Sequence, residues 1–293
     1  MPVLRLPIIG QPLGHTPLEG VLRDVFAAGD AEIEIERWER KPHLLPDAVA
    51  ELRGGGFAGA LIASPHKEKA ATLADALADD ARASGAVNVL NVSDGKLRGD
   101  NTDLVGVRAG LEAVLPRVKG QWPKQAVVLG AGGGARAVVA VLIGAGFGHI
   151  TVFNRHLHKA EALVVHFARS ARNMDLRARP WHEAIIEAEL SRAPLVVNAS
   201  GVGSEGGDSP IPVELLPDER YLLDLVLSAK PTPLMDAASE RGGTVANGQA
   251  SFLAGTAALV HRLIGQETPT ELIRTALARE LGLPEEGLAV VGD

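Results

Sequence analysis

A short apolar strand, a glycine-rich turn and the beginning of a helix follow one another in Ala126-Val-Val-Leu-Gly-Ala-Gly-Gly-Gly-Ala-Arg-Ala137. The spacing Gly130-x-Gly132-x-x-Ala135 is the dinucleotide-binding fingerprint in its Gly/Ala form. Gly130 permits a tight turn, Gly132 lets a pyrophosphate approach the backbone, and the small Ala135 allows the helix to pack closely on the strand. The segment therefore predicts a bound dinucleotide. A glycine-rich turn without a ligand is the alternative.

The amide groups at the N-terminus of this helix are expected to face the phosphates. A second loop, Val197-Asn-Ala-Ser-Gly201, follows a buried strand at the place where such folds let the chain pass the nicotinamide half of a dinucleotide. The predicted cofactor contacts in the two loops are Gly130, Ala131, Gly132, Gly133, Gly134, Ala135, Arg136, Asn198 and Ser200.

The residues after the next strand indicate which dinucleotide binds. The predicted strand is His149–Phe153, and Asn154-Arg155 follows it directly. NAD enzymes usually place Asp or Glu here to hold the ribose 2′-hydroxyl, and no acid is present. Arg155 and Lys159 can instead hold a 2′-phosphate through charge-assisted hydrogen bonds. We therefore predict NADP, with Asn154, Arg155 and Lys159 among its contacts; an exposed basic cluster at a helix start is the alternative.

Short apolar strands alternate with amphipathic stretches along almost the whole chain, a pattern typical of βαβ units and a largely parallel sheet. Ser93-Asp94-Gly95 is a hairpin signal between two further strands. We predict an α/β protein with two domains. A Rossmann-type NADP domain is expected at 104–246, and a discontinuous α/β substrate-binding and catalytic domain at 1–103 and 247–293.

The composition excludes several classes of protein. The chain has 293 residues, of which 46% are hydrophobic and 22% charged, as in ordinary globular domains. It contains no cysteine, so thiolate metal sites and cysteine nucleophiles are excluded. The formal charge of −7 and the lack of a long apolar run argue against nucleic-acid and membrane partners. The chain begins without a signal-peptide pattern, so a cytoplasmic location is expected. No metal is expected from the pattern of histidines, and the protein is expected to be a monomer or a homodimer.

Several motifs in the chain resemble those of the shikimate dehydrogenase family, in the order in which that family has them. They are Gly10-Gln-Pro-Leu-Gly-His15, Ser64-Pro-His-Lys67, Ser84-Gly-Ala-Val-Asn88, Gly99-Asp-Asn-Thr-Asp103, Gly130–Arg136, Asn154-Arg155, Asn198-Ala-Ser and Gly265-Gln-Glu-Thr-Pro269. Each is modest evidence alone. The ordered set covers nearly the whole chain and identifies it as a divergent, shikimate/quinate dehydrogenase-like member of that family.

The resemblance implies a catalytic pair, Lys67 and Asp103, which flank the substrate hydroxyl. A hydride leaves the carbinol carbon for the nicotinamide, so the hydroxyl proton needs a positioned base. A lysine whose pKa is lowered by partial burial can accept it, while Asp103 orients the lysine. A solvated lysine at a helix start is the alternative for Lys67. The resemblance further implies substrate contacts from Thr16, Asn88 and Gln249, and cofactor contacts from Leu225 and Gly248.

Five positions depart from the family pattern under gap-free local matching. Leu18 replaces a serine that grips the substrate carboxylate, and Leu61 and Ala63 replace Asn and Thr before the Pro-x-Lys turn. Leu227 replaces a Tyr and Gly255 a Gln. Each lost hydrogen-bond partner costs about 1–3 kcal/mol of binding. We therefore expect the hydride chemistry to be kept, but in a less polar pocket that binds shikimate itself poorly.

The predicted function is thus reversible hydride transfer between NADP and a secondary alcohol or ketone, on a small cyclic substrate and in a cleft between the domains. A role in aromatic amino acid biosynthesis would follow from the resemblance. Two alternatives remain at this stage. One is a non-catalytic NADP(H)-binding sensor or regulator of the same fold. The other is a different dehydrogenase of similar architecture, such as a methylene-tetrahydrofolate or amino-acid dehydrogenase.

Overall fold

The computed structural model describes residues 3–14, 16–29, 32–116, 122–204 and 206–284. His15 of the first quoted motif lies outside the described residues. Contacts within the chain divide it into two compact units, residues 3–105 with 253–284 and residues 106–252. The two divisions fall inside helices α5 (Asp103–Val114) and α10 (Gln249–Ile264). Which unit binds substrate and which binds cofactor stays a prediction at this point.

The first unit is built on one six-stranded sheet. Its strands are β1 (Leu4–Gly10), β2 (Ile33–Glu39), β3 (Gly59–Ile62), β4 (Ala76–Leu77), β5 (Val89–Ser93) and β6 (Lys96–Asp100). Their spatial order is β2-β1-β3-β5-β6-β4. The predicted hairpin joins β5 to β6 through Asp94 and Gly95, both at positive φ, as a two-residue hairpin turn requires. Because this connection is too short for a crossover, β5 and β6 are antiparallel. Strand β5 is also antiparallel to β3, so the sheet is mixed.

Helices cover this sheet where the sequence supplies an apolar face. They are α1 (Pro17–Ala28), α2 (Leu45–Glu51), α3 (Lys67–Ala71), α4 (Asp79–Ser84) and α11 (Thr270–Glu280), with 3-10 turns at Pro42–Leu44 and Leu52–Gly54. The sequence predicted one helix from about Glu68. Instead α3 ends at Ala71, because the backbone of Asp75 and Ala78 bonds to Leu97 and Gly99 of β6.

The second unit contains a six-stranded sheet whose neighbouring strands are all parallel. Its strands are β7 (Gln125–Leu129), β8 (His149–Phe153), β9 (Asp175–Arg179), β10 (Leu195–Asn198), β11 (Tyr221–Asp224) and β12 (Thr244–Ala246). The order β12-β11-β10-β7-β8-β9 reverses direction between β7 and β10, which is the topological switch point of a Rossmann-type sheet. Dinucleotides bind beside the carboxyl ends of the strands at such a point.

The connecting helices of this unit are α6 (Gly133–Gly144), α7 (Leu157–Phe167), α8 (Glu183–Leu190) and α9 (Pro233–Glu240), with a 3-10 turn at Val213–Leu215. Strands β7 and β10 read as continuous apolar runs because helices cover both faces of a parallel sheet. Val127, Leu129 and Val196 are fully buried in the core beside Ile186 and Leu234. The predicted α/β class with a Rossmann-type domain is confirmed.

Candidate active site

The predicted catalytic pair is in direct contact. Lys67 Nζ lies 2.5 Å from Asp103 Oδ2, and the two side chains are 20% and 24% exposed. Lys67 begins α3 and Asp103 begins α5, so two helix starts present the pair. An ammonium group and a carboxylate at this distance form a charge-assisted hydrogen bond. Both side chains thus keep part of their surface accessible to solvent.

Asn88 binds the other carboxylate oxygen of Asp103. Its Nδ2 donates to Asp103 Oδ1 at 2.9 Å and to Thr102 Oγ1 at 3.0 Å, while its Oδ1 accepts from the Thr102 amide at 2.9 Å. The amide of Asp103 donates to Asn101 Oδ1 at 3.1 Å, and Asn101 is fully buried. Asp103 is therefore fixed from both sides. Asn101 and Thr102 belong to the quoted motif, but the sequence did not assign them this role.

The turn that precedes Lys67 is fastened to the ends of β1 and β2. His66 is 1% exposed, and its Nε2 lies 2.7 Å from the carbonyl oxygen of Arg40. Because a carbonyl oxygen only accepts, Nε2 carries the proton and donates. The amide of Gln11 donates to the carbonyl oxygen of Ser64 at 3.1 Å. The two bonds hold the turn in place, and the side chain of His66 makes one of them.

The side chains that surround Gly10 are apolar, and one of them, Ala63, stands where the family pattern has Thr. A Cβ at Gly10 would meet Leu13 at 2.6 Å and Ala63 at 2.9 Å, so the two side chains pack against the glycine backbone. Leu61 is 2% exposed, and Leu18 is half-buried. Thr16 Oγ1 accepts from the Leu18 amide at 3.4 Å and caps α1. The hydroxyl predicted to bind substrate thus also serves as a helix cap.

The glycine-rich turn in the second unit has the shape that the fingerprint predicts. Gly130 has φ +113°, and a Cβ there would lie 2.6 Å from the carbonyl oxygen of Ala199. Gly132 differs, because a Cβ built on it would meet no atom within 4 Å. It is the N-cap of α6, and it has no side chain with which to cap the first amides of the helix. Open space, uncapped amides and the fully buried Ala135 together fit a pyrophosphate.

The other predicted cofactor residues lie near the carboxyl ends of the strands. Arg155 and Lys159 are exposed after β8, while Asn154 Nδ2 donates to the carbonyl oxygen of His156 at 3.0 Å. Such exposed cations fit a 2′-phosphate. Of the remaining predicted cofactor residues, Arg136 is buried in α6, Ser200 is exposed and Leu225 is half-buried after β11. Gly248 packs on the carbonyl oxygens of Leu225 and Val226. Gln249, a predicted substrate contact, is buried at the start of α10.

Asn198 is fully buried, and its side-chain amide is hydrogen-bonded to neighbouring groups. Nδ2 donates to Asp224 Oδ1 at 2.9 Å and to the carbonyl oxygen of Val202 at 3.2 Å. Thr232 Oγ1 donates to Asp224 Oδ2 at 2.7 Å. Sequence reasoning missed Asp224 and Thr232. The only signal was an aspartate at the end of an otherwise apolar strand, which needs hydrogen-bond partners when buried.

The described residues carry neither a membrane-spanning helix nor a cluster of metal ligands. None of their helices is long and apolar enough to cross a lipid bilayer. In the same ranges, no group of three or more His, Asp or Glu side chains is arranged to hold a metal ion.

Comparison with known proteins gives two matching family models. One, described as the shikimate dehydrogenase substrate binding domain, matches residues 8–90, and the other, described as shikimate / quinate 5-dehydrogenase, matches residues 115–200. The chain is 38% identical over 237 residues to the shikimate dehydrogenase (NADP(+)) of Brucella abortus (strain S19), covering 79% of this chain and 78% of that protein. The corresponding protein of Symbiobacterium thermophilum is 33% identical over 274 residues, which is 92% of each chain.

Solved structures show the same likeness. The shikimate 5-dehydrogenase of Thermus thermophilus, in complex with NADP(H) and shikimate, has a TM-score of 0.77 and 31% identity, covering 95% of this chain and 100% of that chain. The predicted family, its enzyme class and the cofactor of that class are thereby confirmed at the level of the family. With both family models, long relatives above 30% identity and the Rossmann-type sheet in agreement, the chain belongs to the shikimate dehydrogenase family.

Proposed function

We propose that this protein catalyses the NADP-dependent, reversible oxidation of a secondary alcohol to a ketone on a small cyclic substrate related to shikimate or quinate. The observation that carries the proposal is the contact between Lys67 and Asp103, with Asn88 bound to the second carboxylate oxygen. A protein that only bound NADP would not need this arrangement. The first unit then supplies the proton-transfer groups, and the second unit supplies the dinucleotide site.

Lys67 and Asp103 have different roles in the transfer of the hydroxyl proton. NADP, when bound, supplies the hydride acceptor for the carbinol carbon. The neutral amine of Lys67 accepts the hydroxyl proton as the carbonyl forms and becomes the ammonium ion that bonds to Asp103; in the reverse direction this ammonium ion returns the proton to the oxygen. Asp103 Oδ2 orients Nζ through their 2.5 Å contact. Asn88 keeps the carboxylate from rotating, because it binds Oδ1 at 2.9 Å.

NADP fits the second unit better than NAD does. Strand β8 ends at Phe153, and the next residues are Asn154 and Arg155, so no carboxylate is present to bind a ribose 2′-hydroxyl or to repel a 2′-phosphate. Arg155 offers a planar set of donors that matches a phosphate group. Lys159 lies one turn into the helix that follows and adds a second exposed cation.

We further propose that shikimate is turned over weakly. The family places hydroxyl and amide groups where this chain has Leu18, Leu61 and Ala63. A leucine or alanine cannot bond to the carboxylate or ring hydroxyls of shikimate, and each missing partner costs about 1–3 kcal/mol. Ala63, which packs against Gly10, has no hydroxyl at a position where the family has one, and this supports a preference for a less polar ring.

The test is NADPH formation from NADP with shikimate, quinate, aminoshikimate and less polar cyclic alcohols. We expect turnover of one of these substrates, with a kcat/KM for shikimate well below that for the preferred member. Lys67→Met should abolish turnover while NADP still binds. Lys69→Met is the matched control, since Lys69 is an exposed lysine in the same helix, and it should retain activity.

The outcomes separate the candidate functions. Equal activity of Lys67→Met and Lys69→Met would remove Lys67 from proton transfer. Tight NADP binding without turnover of any member would favour the sensor or regulator. A shikimate kcat/KM equal to the best in the panel would contradict the remodelled pocket. A cytoplasmic location and a monomeric or homodimeric state complete the proposal; cell fractionation and light scattering test them.

A further inference from the structure

A buried hydrogen-bond network lies under the second cofactor loop. Asp224 ends β11 with its side chain fully shielded from water, and it accepts three hydrogen bonds. Asn198 Nδ2 and the amide of Val226 donate to Oδ1 at 2.9 and 3.0 Å, and Thr232 Oγ1 donates to Oδ2 at 2.7 Å. Burial raises the pKa of this carboxyl group. A buried carboxyl group is costly, so the three donors and the fixed geometry indicate a specific role.

The network continues from Asn198 into the loop. Asn198 Oδ1 accepts from the amide of Ser200 at 3.1 Å and from its Oγ at 2.6 Å. Ser200 Oγ in turn accepts from the amide of Val202 at 3.2 Å, while Asn198 Nδ2 donates to the carbonyl oxygen of Val202 at 3.2 Å. The backbone from 198 to 202 is therefore bound at both ends to one buried side chain. The position of that side chain depends on Asp224.

This loop also forms one wall of the glycine-rich turn. A Cβ built on Gly130 would lie 2.6 Å from the carbonyl oxygen of Ala199 and 2.9 Å from the amide nitrogen of Ser200. The amide of Ala199 donates to the carbonyl oxygen of Leu129, the residue before the turn, at 2.8 Å. A shift of the loop would therefore shift the surface against which the turn packs.

We propose that Asp224 and Thr232 are positioning residues for the cofactor: through Asn198 they hold the loop of residues 199–202 in the shape that binds the dinucleotide. Asn198 then acts from beneath the loop, where the sequence predicted a direct contact. The inference rests on the proposed function, because it assigns the loop to NADP. It adds two residues that act on the loop through Asn198.

Thr232→Val tests the proposal with a small change, because valine keeps the shape of threonine and removes the hydroxyl. Thr151→Val is the matched control: Thr151 Oγ1 donates to Glu189 Oε2 at 2.9 Å in the same unit, and this bond lies outside the network described above. Thr232 also caps α9, accepting from the Met235 amide at 3.3 Å, so Thr232→Ser should rescue both functions. Asp224→Asn keeps an oxygen for Asn198 and should be mild, while Asp224→Ala removes all three bonds.

Two readouts are measured on each variant. Hydrogen exchange reports the amides of Ser200 and Val202 in the protein without ligand, and calorimetry reports the Kd for NADP. Losing one hydrogen bond to a charged group changes an equilibrium constant by about tenfold. We expect Thr232→Val and Asp224→Ala to speed exchange at both amides and to raise the Kd and the KM for NADP by about tenfold or more. The kcat should change less, and Thr151→Val should change neither readout.

Unchanged exchange at Ser200 and Val202 in Thr232→Val and Asp224→Ala would overturn the proposal. Faster exchange with an unchanged Kd would overturn it as well, because the loop would then be held but would not matter for the cofactor. If the unaltered protein bound no NADP, the proposed function itself would fail. The exchange rates would still decide whether Asp224 and Thr232 hold the loop.

Discussion

Adding a methyl group to Gly130 should destabilise the second unit. Its φ of +113° is a conformation that alanine avoids, which costs about 1–3 kcal/mol. A Cβ would also lie 2.6 Å from the carbonyl oxygen of Ala199, which is backbone held by its own bond to Leu129. Relieving such an overlap adds about 1–3 kcal/mol. Gly130→Ala should therefore cost about 3 kcal/mol or more, or about 6–12 °C in Tm for a domain of this size.

Gly132→Ala is the matched control, with the opposite pattern expected. A Cβ at Gly132 meets no atom within 4 Å, and the φ of −85° and ψ of −168° suit alanine. Alanine restricts the unfolded chain more than glycine does, which raises the free energy of unfolding by about 0.4–1 kcal/mol. This gain roughly cancels the loss of unfolding free energy when alanine replaces glycine at an N-cap. Stability should stay within about 0.5 kcal/mol, while the methyl group obstructs the pyrophosphate and weakens NADP binding about tenfold or more.

Both variants are measured by thermal unfolding without ligand and by calorimetric titration with NADP. We expect the two variants to affect different measurements: Gly130→Ala lowers Tm, and Gly132→Ala weakens NADP binding without lowering Tm. A Tm of Gly130→Ala within about 2 °C of the unaltered protein would refute the packing argument for the turn. Unaltered NADP binding by Gly132→Ala would refute the path of the pyrophosphate over this residue.

Three further predictions concern the 2′-phosphate, the substrate and the buried carboxyl group. Arg155→Ser should weaken NADP binding about tenfold or more and leave NAD unchanged, because only NADP carries the 2′-phosphate; equal affinities of the unaltered protein for both, by calorimetry, would refute this role. Leu18→Ser should lower the KM for shikimate about tenfold by restoring a hydroxyl, and an unchanged KM would show that residue 18 does not face the substrate. Burial raises the folded-state pKa of Asp224 above the ordinary 3.8, so the folded state binds the carboxyl proton more tightly than the unfolded state does. The contribution of Asp224 to the unfolding free energy therefore falls as the pH rises from 3.8 through the raised pKa. Asp224→Asn should remove that fall in denaturant titrations across pH, and an identical pH profile would contradict it.

Much of the fold follows from local sequence because its causes are local. The apolar run of β7, the glycines after it and the small Ala135 specify a strand, a turn and a close-packed helix by their own conformational preferences. The same holds for the hairpin at Asp94 and Gly95. Three strands could not be predicted: β4, β9 and β12 lie at sheet edges, where half-exposed residues carry no strong apolar pattern.

The sequence by itself determined the family and the dinucleotide turn, since these depend on residue types at set spacings, and the resemblance to the family then implied the pairing of Lys67 with Asp103. Only the tertiary structure decided what holds those residues in place. Asn88 binds Asp103, and Thr232 binds Asp224, because folding brings together strand ends and helix starts. A buried polar side chain needs a partner, and which distant residue supplies it depends on sheet order and burial, which residue spacing does not encode.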